Sequence, residues 1–279
     1  QVIYTPSIDI QRDVDNLIAY LHGLYSIDAS RIYIMGMSQG GMFAATLAAK
    51  APDVFAALAE VKGPTSLKVW YDEVAPFFKT ALEDELGGPP NSSTLFSYQR
   101  RSVVEMVPNL RNLPVLIVHG LNDTIVPYHH AVDLKNSLDA LDPPSTYEAE
   151  LHSFSGGHDD DHPEWTTAHI LDWFSAYTLD PYPETITVRT DEAKAYYWLE
   201  LSYANSWDPA RWTNVRAVRD PLSHAVVIDV IDERQKPIHL TVNLLKADLP
   251  TEFSYVLEDT NLGTGEYKQT VAAPQGGKL

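Results

Sequence analysis

Apolar residues recur in two alternating rhythms over the first 180 positions. Ile10, Val14, Leu17, Ile18, Leu21 and Leu24 fall at helical spacing with Asp and Asn residues on the other face, which predicts an amphipathic helix over 10–25. Arg31-Ile32-Tyr33-Ile34-Met35 is then a short, almost unbroken apolar run, as a parallel strand covered on both faces reads. Residues 40–50 are rich in Ala and Leu and stop at Ala51-Pro52, as a helix does. Further strands are predicted at 54–61, 113–119 and 146–151, and further helices at 128–141 and 163–177. Strands alternating with helices predict an α/β fold, a parallel sheet with helices on both faces.

Two stretches depart from this rhythm. Residues 63–111 insert helix-like pieces carrying Trp70, Tyr71, Phe77 and Phe78, then the loop Gly87-Gly88-Pro89-Pro90-Asn91-Ser92-Ser93; such an excursion either walls a substrate pocket or packs as an ordinary helical insertion. After Asp180-Pro181-Tyr182-Pro183 the period shortens to two. Ile186 and Val188, then Tyr197, Leu199, Leu201 and Tyr203, then Val226, Ile228 and Val230, then Ile238, Leu240, Val242 and Leu244 alternate with polar residues. The expectation is an α/β domain over 1–180, with the insertion at 63–111, followed by a small β-sandwich over 181–279.

The chemistry concentrates at Gly36-Met37-Ser38-Gln39-Gly40, where a strand ends and a helix begins. A serine on a sharp strand-to-helix turn projects its hydroxyl out of the backbone, and flanking glycines relieve the crowding of the bend. Ser38 is therefore the candidate nucleophile. A serine hydroxyl needs a general base within hydrogen-bond reach and a carboxylate to orient that base. Asp123 follows the strongest strand in His119-Gly120-Leu121-Asn122-Asp123 and is the candidate carboxylate, the alternative being a helix cap. Two histidines after the fourth strand compete as base: His158, on the glycine-relieved loop Ser155-Gly156-Gly157-His158, is favoured over His152, which stands too close to the strand. His158-Asp159-Asp160-Asp161-His162 also reads as a solvated acidic loop or a weak cation loop, and His129 and His130 read as surface residues at a helix start.

Composition narrows the partners. The 279 residues contain 38 Asp and Glu against 20 Lys and Arg, a formal charge of −18, so nucleic acid and anionic membranes are unfavourable partners. There is no cysteine, which removes a thiol nucleophile, a disulfide framework and a Cys-ligated zinc. No apolar run approaches the roughly 20 residues of a membrane helix, and Gln1-Val2-Ile3-Tyr4-Thr5-Pro6 does not read as a leader peptide. A secreted or periplasmic location is the expectation.

Gly36-Met37-Ser38-Gln39-Gly40-Gly41, His119 through Pro127, and Gly156-Gly157-His158 occur in the order of the α/β-hydrolase superfamily, which residues 1–178 resemble. Leu86-Gly87-Gly88-Pro89 through Tyr98, with Arg101-Ser102 and Asn109-Leu110, resembles the prolyl oligopeptidase type of serine peptidase; the elbow and the appended β unit look equally like secreted esterases related to feruloyl esterases and polyester depolymerases. The resemblance implies a Ser38, His158, Asp123 triad acting without a cofactor or metal on a peptide or ester, with the backbone N–H of Gln39 as an oxyanion donor. A complete fold of this kind has about three more strands before the first helix and a second oxyanion donor on a loop there, whose loss costs on the order of a hundredfold in rate. An upstream polypeptide is therefore expected to complete the sheet. The alternative is a hydrolase-derived structural or binding protein within a larger assembly.

Overall fold

Four short strands pair in strictly parallel register, the first three largely apolar: β1 (Tyr33–Met37), β2 (Ala57–Val61), β3 (Val115–Gly120) and β4 (Glu150–Phe154), side by side in that order. They belong to a computed structural model describing residues 8–203, 211–220, 225–232, 238–242, 252–259 and 266–272, and the chain divides into two compact units, Gln1–Leu179 and Asp180–Leu279. β3 is buried along its whole length and β2 along all but its last residue, as inner parallel strands must be when helices cover both faces.

Successive side chains leave the sheet on opposite sides. On one side Ala57, Ala59, Leu116 and Val118 pack under Ile170 and Phe174 of α7 (Thr167–Phe174), and Tyr33 stacks on Phe174 with ring centroids 4.9 Å apart. A second core joins Met42 of α2 (Gln39–Lys50) to the insertion, where α3 (Leu67–Glu73), α4 (Pro76–Leu86) and α5 (Leu95–Gln99) contribute Leu67, Trp70, Leu82, Leu86 and Tyr98. Trp70 and Tyr98 are thus packing residues, and their polar atoms tie loops together: Trp70 Nε1 donates to the carbonyl of Ile125 at 2.8 Å and the Tyr98 hydroxyl to that of Gly88 at 2.8 Å.

Some expected boundaries move. The fourth strand starts at Glu150 and runs to Phe154 instead of covering 146–151. Thr146 is held back by the turn before β3, its N–H donating to Arg111 O at 2.8 Å and its hydroxyl to Asn112 Oδ1 at 2.9 Å. The second strand starts at Ala57 because Val54 N–H closes a turn onto Ala51 O. α6 (His129–Asp139) is shorter than 128–141, and α7 begins only after Thr166, whose hydroxyl caps it by accepting from His169 N–H. The first helix, α1 (Ile8–Leu24), forms as the periodicity predicts, but its apolar face is only partly covered by the described residues: Ile10, Val14, Ile18 and Leu21 are half-buried, whereas Leu17, Tyr20 and Leu24 are each more than half exposed.

The second unit contains two sheets. One is antiparallel, ordered β10 (Ile238–Val242), β7 (Leu199–Tyr203), β6 (Ala195–Tyr196). The other orders β12 (Glu266–Ala272), β11 (Glu252–Asp259), β9 (Ala225–Asp232), β8 (Thr213–Asp220) and β5 (Thr185–Thr190), with β11 parallel to β9 and the other pairs antiparallel. Ile186, Val188, Leu199, Leu201 and Ile228 are buried, in keeping with the two-residue rhythm; Tyr203, Val226, Val230, the side chains of β10 and Leu244 lie outside the described side chains. β8, β11 and β12 are strands that the apolar alternation does not reveal. No helix among the described residues is long and apolar enough to cross a membrane.

Candidate active site

Ser38 stands between β1 and α2 with φ 57° and ψ −121°, a backbone conformation that costs a non-glycine residue roughly 1–3 kcal/mol. Two hydrogen bonds hold it there: Ser38 N–H donates to Val61 O at 2.8 Å, and Met42 N–H donates to Ser38 O at 3.1 Å. Packing explains the neighbouring glycines unequally. A Cβ on Gly36 would lie 2.1 Å from Gly40 O, and one on Gly41 would lie 2.8 Å from Glu60 Oε1 and 2.9 Å from Val61 O. A Cβ on Gly40 meets no described atom within 4 Å, so the crowding expected on both sides of the serine falls on Gly36 and Gly41 instead. Gln39 is the first residue of α2, in the turn whose N–H groups point off the helix end.

The other two residues come from loops beyond β3 and β4. Asp123 Oδ1 accepts the N–H groups of Ile125 and Val126, both at 2.9 Å, and its Oδ2 lies 2.7 Å from His158 Nδ1. His158 Nε2 lies 2.8 Å from Ser38 Oγ. Hydrogen bonds from His119, His158 and the two backbone N–H groups outweigh the opposing effect of burial and hold the Asp123 carboxyl well below the usual carboxylate range. An ionised carboxylate only accepts, so His158 Nδ1–H donates to it and the Nε2 lone pair is left facing the Ser38 hydroxyl. The two loops lie backbone to backbone: Leu121 N–H donates to Phe154 O and Asn122 N–H to Gly156 O, and a Cβ on Gly120 would lie 2.4 Å from Gly156 O.

Lys62, just past β2, is buried at φ 52° and its ammonium donates to the carbonyls of His158 at 2.8 Å and Asp160 at 2.7 Å. It clamps the histidine loop from beneath. Glu60 and His119 are likewise buried under the site. His119 Nε2 donates to Val126 O at 2.8 Å and lies 3.4 Å from the same Asp123 oxygen that His158 reaches. Asp123, Glu60 and the Val126 carbonyl outweigh burial and raise its proton affinity. Glu60 accepts the N–H of Gly63, while Glu60 Oε2 and His119 Nδ1 have no hydrogen-bond partner among the described residues. Neither the apolar periodicity nor the motifs mark Glu60, Lys62 or His119 as site residues. Two of them carry a signal, a charged or imidazole side chain near the end of an otherwise apolar strand: Glu60 in Ala56-Ala57-Leu58-Ala59-Glu60 and His119 in Val115-Leu116-Ile117-Val118-His119.

Burial pushes the Glu60 carboxyl up to about 7 from 4.5. An acid with a raised folded-state pKa gives up its proton first in the unfolded chain, so this group lowers stability progressively as pH rises from about 4.5 to about 7 and no further above that. Glu60→Gln removes the effect. Its stability relative to the parent chain is expected to improve by about 3 kcal/mol between pH 4.5 and pH 8, read from denaturant unfolding at both values. A gap that stays constant with pH would mean that Glu60 is ionised in the fold.

His152 stands on β4 paired with Glu150 Oε2 at 3.0 Å, its ring 4.2 Å from that of Trp165. In the acidic loop Asp160 accepts from Gly157 N–H, and His162 Nδ1 accepts from the N–H groups of Glu164 and Trp165. The expected surface position of the histidine pair needs correction: His129 is partly exposed, but His130 is 1 % exposed, packed against Thr65 and Glu73 of the insertion.

The sequence model of the prolyl oligopeptidase family matches residues 9–180, more than half of the chain. Alpha/beta hydrolase domain-containing protein WAV2 of Arabidopsis thaliana is 30% identical over 146 residues, covering 52% of this chain and 46% of that protein. Venom dipeptidyl peptidase 4 of Vespula vulgaris is 26% identical over 133 residues, covering 47% of this chain and 16% of the relative. The chain thus spans less than half the length of either relative. Among solved structures, a putative dipeptidyl aminopeptidase IV from Bacteroides ovatus superposes with a TM-score of 0.51 at 18% identity over 62% of this chain and 23% of its own, a likeness of fold.

Proposed function

Since the chain belongs to the prolyl oligopeptidase family, we propose that it is a serine hydrolase cleaving a peptide bond, or alternatively an ester bond, through an acyl-enzyme. The observation that carries this reading is the unbroken line Ser38 Oγ, His158, Asp123, with separations of 2.8 and 2.7 Å. In this mechanism Ser38 Oγ attacks the acyl carbonyl carbon as its proton passes to His158 Nε2. Asp123 stabilises the resulting imidazolium and keeps the ring in register. The oxyanion forms against the Gln39 N–H, His158 returns the proton to the leaving amine or alcohol, and water, deprotonated by the same ring, then releases the acid and restores Ser38. No cofactor enters the scheme.

Two further parts belong to this reading. A polypeptide pairing with the open side of β1 completes the sheet, supplies the second oxyanion donor and covers α1; the exposed Leu17, Tyr20 and Leu24 support it. The two sheets after Asp180 form a β-sandwich accessory domain.

Turnover of X-Pro anilides against p-nitrophenyl esters by the complete protein tests the substrate class. Peptidase action predicts a larger kcat/KM on the anilides. Preference for the esters would assign a carboxylesterase of the feruloyl esterase or polyester depolymerase type, and inactivity on both would favour a structural or binding role.

A further inference from the structure

Outside the Ser38 site, Glu73, His129 and His130 bring three potential ligand atoms within 4.8 Å of one another. Glu73 ends α3, within the insertion, and the two histidines open α6, immediately after the loop that carries Asp123. His129 Nε2 lies 2.7 Å from Glu73 Oε1 and His130 Nε2 lies 3.2 Å from Glu73 Oε2, so one carboxylate is approached by two imidazoles. The rings stack with centroids 4.6 Å apart at 27°.

The His129 ring has the second partner usual for a histidine at a metal site. A metal-ligating histidine commonly directs its second ring nitrogen to a carboxylate or another acceptor, which fixes the tautomer and the ring. His129 Nδ1 lies 3.0 Å from Asp133 Oδ2, leaving Nε2 as the ligand atom. His130 Nδ1 accepts the backbone N–H of Thr65 at 3.4 Å, and the Thr65 hydroxyl donates to His130 O at 2.9 Å, so this ring too is held in place with Nε2 toward Glu73. Each ring is therefore held at Nδ1, His129 by the Asp133 carboxylate and His130 by the Thr65 N–H, and turns Nε2 to the shared Glu73 carboxylate. An ion pair needs only one imidazolium here, whereas a dication between the three side chains uses both rings as neutral ligands. Access matches too: His129 and Glu73 side chains are 40% and 30% exposed, while His130 is 1% exposed and anchors the floor.

We propose that Glu73, His129 and His130 bind a divalent cation of the zinc class, with Asp133 and Thr65 orienting the two imidazoles. Two neutral imidazoles and one carboxylate form a nitrogen and oxygen set suited to tetrahedral Zn2+, with water in the fourth position. The ion clips α3 to α6. Trp70, one turn before Glu73, already bonds to Ile125, so the clip and this bond grip the Asp123 loop from both ends.

The test is titration of the chelator-stripped full chain with Zn2+ against a competing chromophoric chelator, repeated with Co2+ for its visible absorption. The expected result is one ion per chain with micromolar or tighter affinity, a higher unfolding temperature with Zn2+, and losses of at least tenfold in affinity for both Glu73→Gln and His129→Gln. Asp133→Asn is expected to weaken binding about 10- to 100-fold. His162→Gln, in the acidic loop, leaves binding unchanged. Absence of stoichiometric binding by the parent chain overturns the proposal, as does undiminished affinity in Glu73→Gln and His129→Gln; both altered positions are partly solvent-exposed, so circular dichroism and melting of these variants serve as the folding control.

Discussion

Ser38→Ala is expected to lower kcat by about 10⁴- to 10⁶-fold and to abolish covalent labelling by a fluorophosphonate probe, with little change in folding. The effect is large because nothing else in the site replaces the hydroxyl. His158 Nε2 faces Ser38 Oγ at 2.8 Å, and its proton transfer has meaning only if an oxygen at that position becomes the nucleophile. Ser38 contributes little to stability through its side chain, which caps no N–H group of α2. Its strained φ is retained by alanine, and the bonds that hold the turn, Ser38 N–H to Val61 O and Met42 N–H to Ser38 O, are backbone bonds. The unfolding free energy should therefore shift by no more than about 0.5 kcal/mol. Mass spectrometry of the labelled protein reads the first quantity and denaturant unfolding the second. Persistent labelling of the alanine variant would place the nucleophile elsewhere.

How far such a site can be read from the chain depends on whether its constraints are local. The elbow was legible because a strand, a serine at positive φ and a helix are consecutive, and the closest approach, Gly36 to Gly40, spans four residues. β3 was legible because it is buried on both faces, so its apolar run is unbroken. β4 misled because it lies at the edge of the described sheet, where polar residues are tolerated and a neighbouring apolar alternation can imitate a strand. Lys62 is hidden for a different reason: the carbonyls it binds, those of His158 and Asp160, lie 96 and 98 residues further on, a separation that no local rhythm encodes. His130 was misread because a polar helix start looks solvated until α3, more than 50 residues earlier, is laid over it. β8, β11 and β12 share this difficulty, since the register that defines them is supplied by other strands.

Asp123→Asn is expected to reduce kcat by about 10⁴-fold while leaving KM within a few-fold of the parent value. The reasoning turns on one proton. Ionised Asp123 can only accept, so it selects the His158 tautomer that carries its proton on Nδ1 and presents a bare Nε2 to Ser38. In the asparagine variant Oδ1 still accepts from Ile125 and Val126 N–H, which keeps the loop in place and directs the amide nitrogen toward His158. Two donors cannot face each other, so His158 shifts its proton to Nε2. The ring then stands at the correct distance from Ser38 but with no lone pair to receive the hydroxyl proton. It also loses the anion that stabilises the imidazolium in the transition state. Because the change is electronic and not positional, substrate binding persists, and the loss appears in single-turnover acylation rates. A loss smaller than tenfold would mean that Asp123 acts on the loop alone, as a cap for Ile125 and Val126, and that the orientation of His158 is set by the Lys62 clamp beneath it.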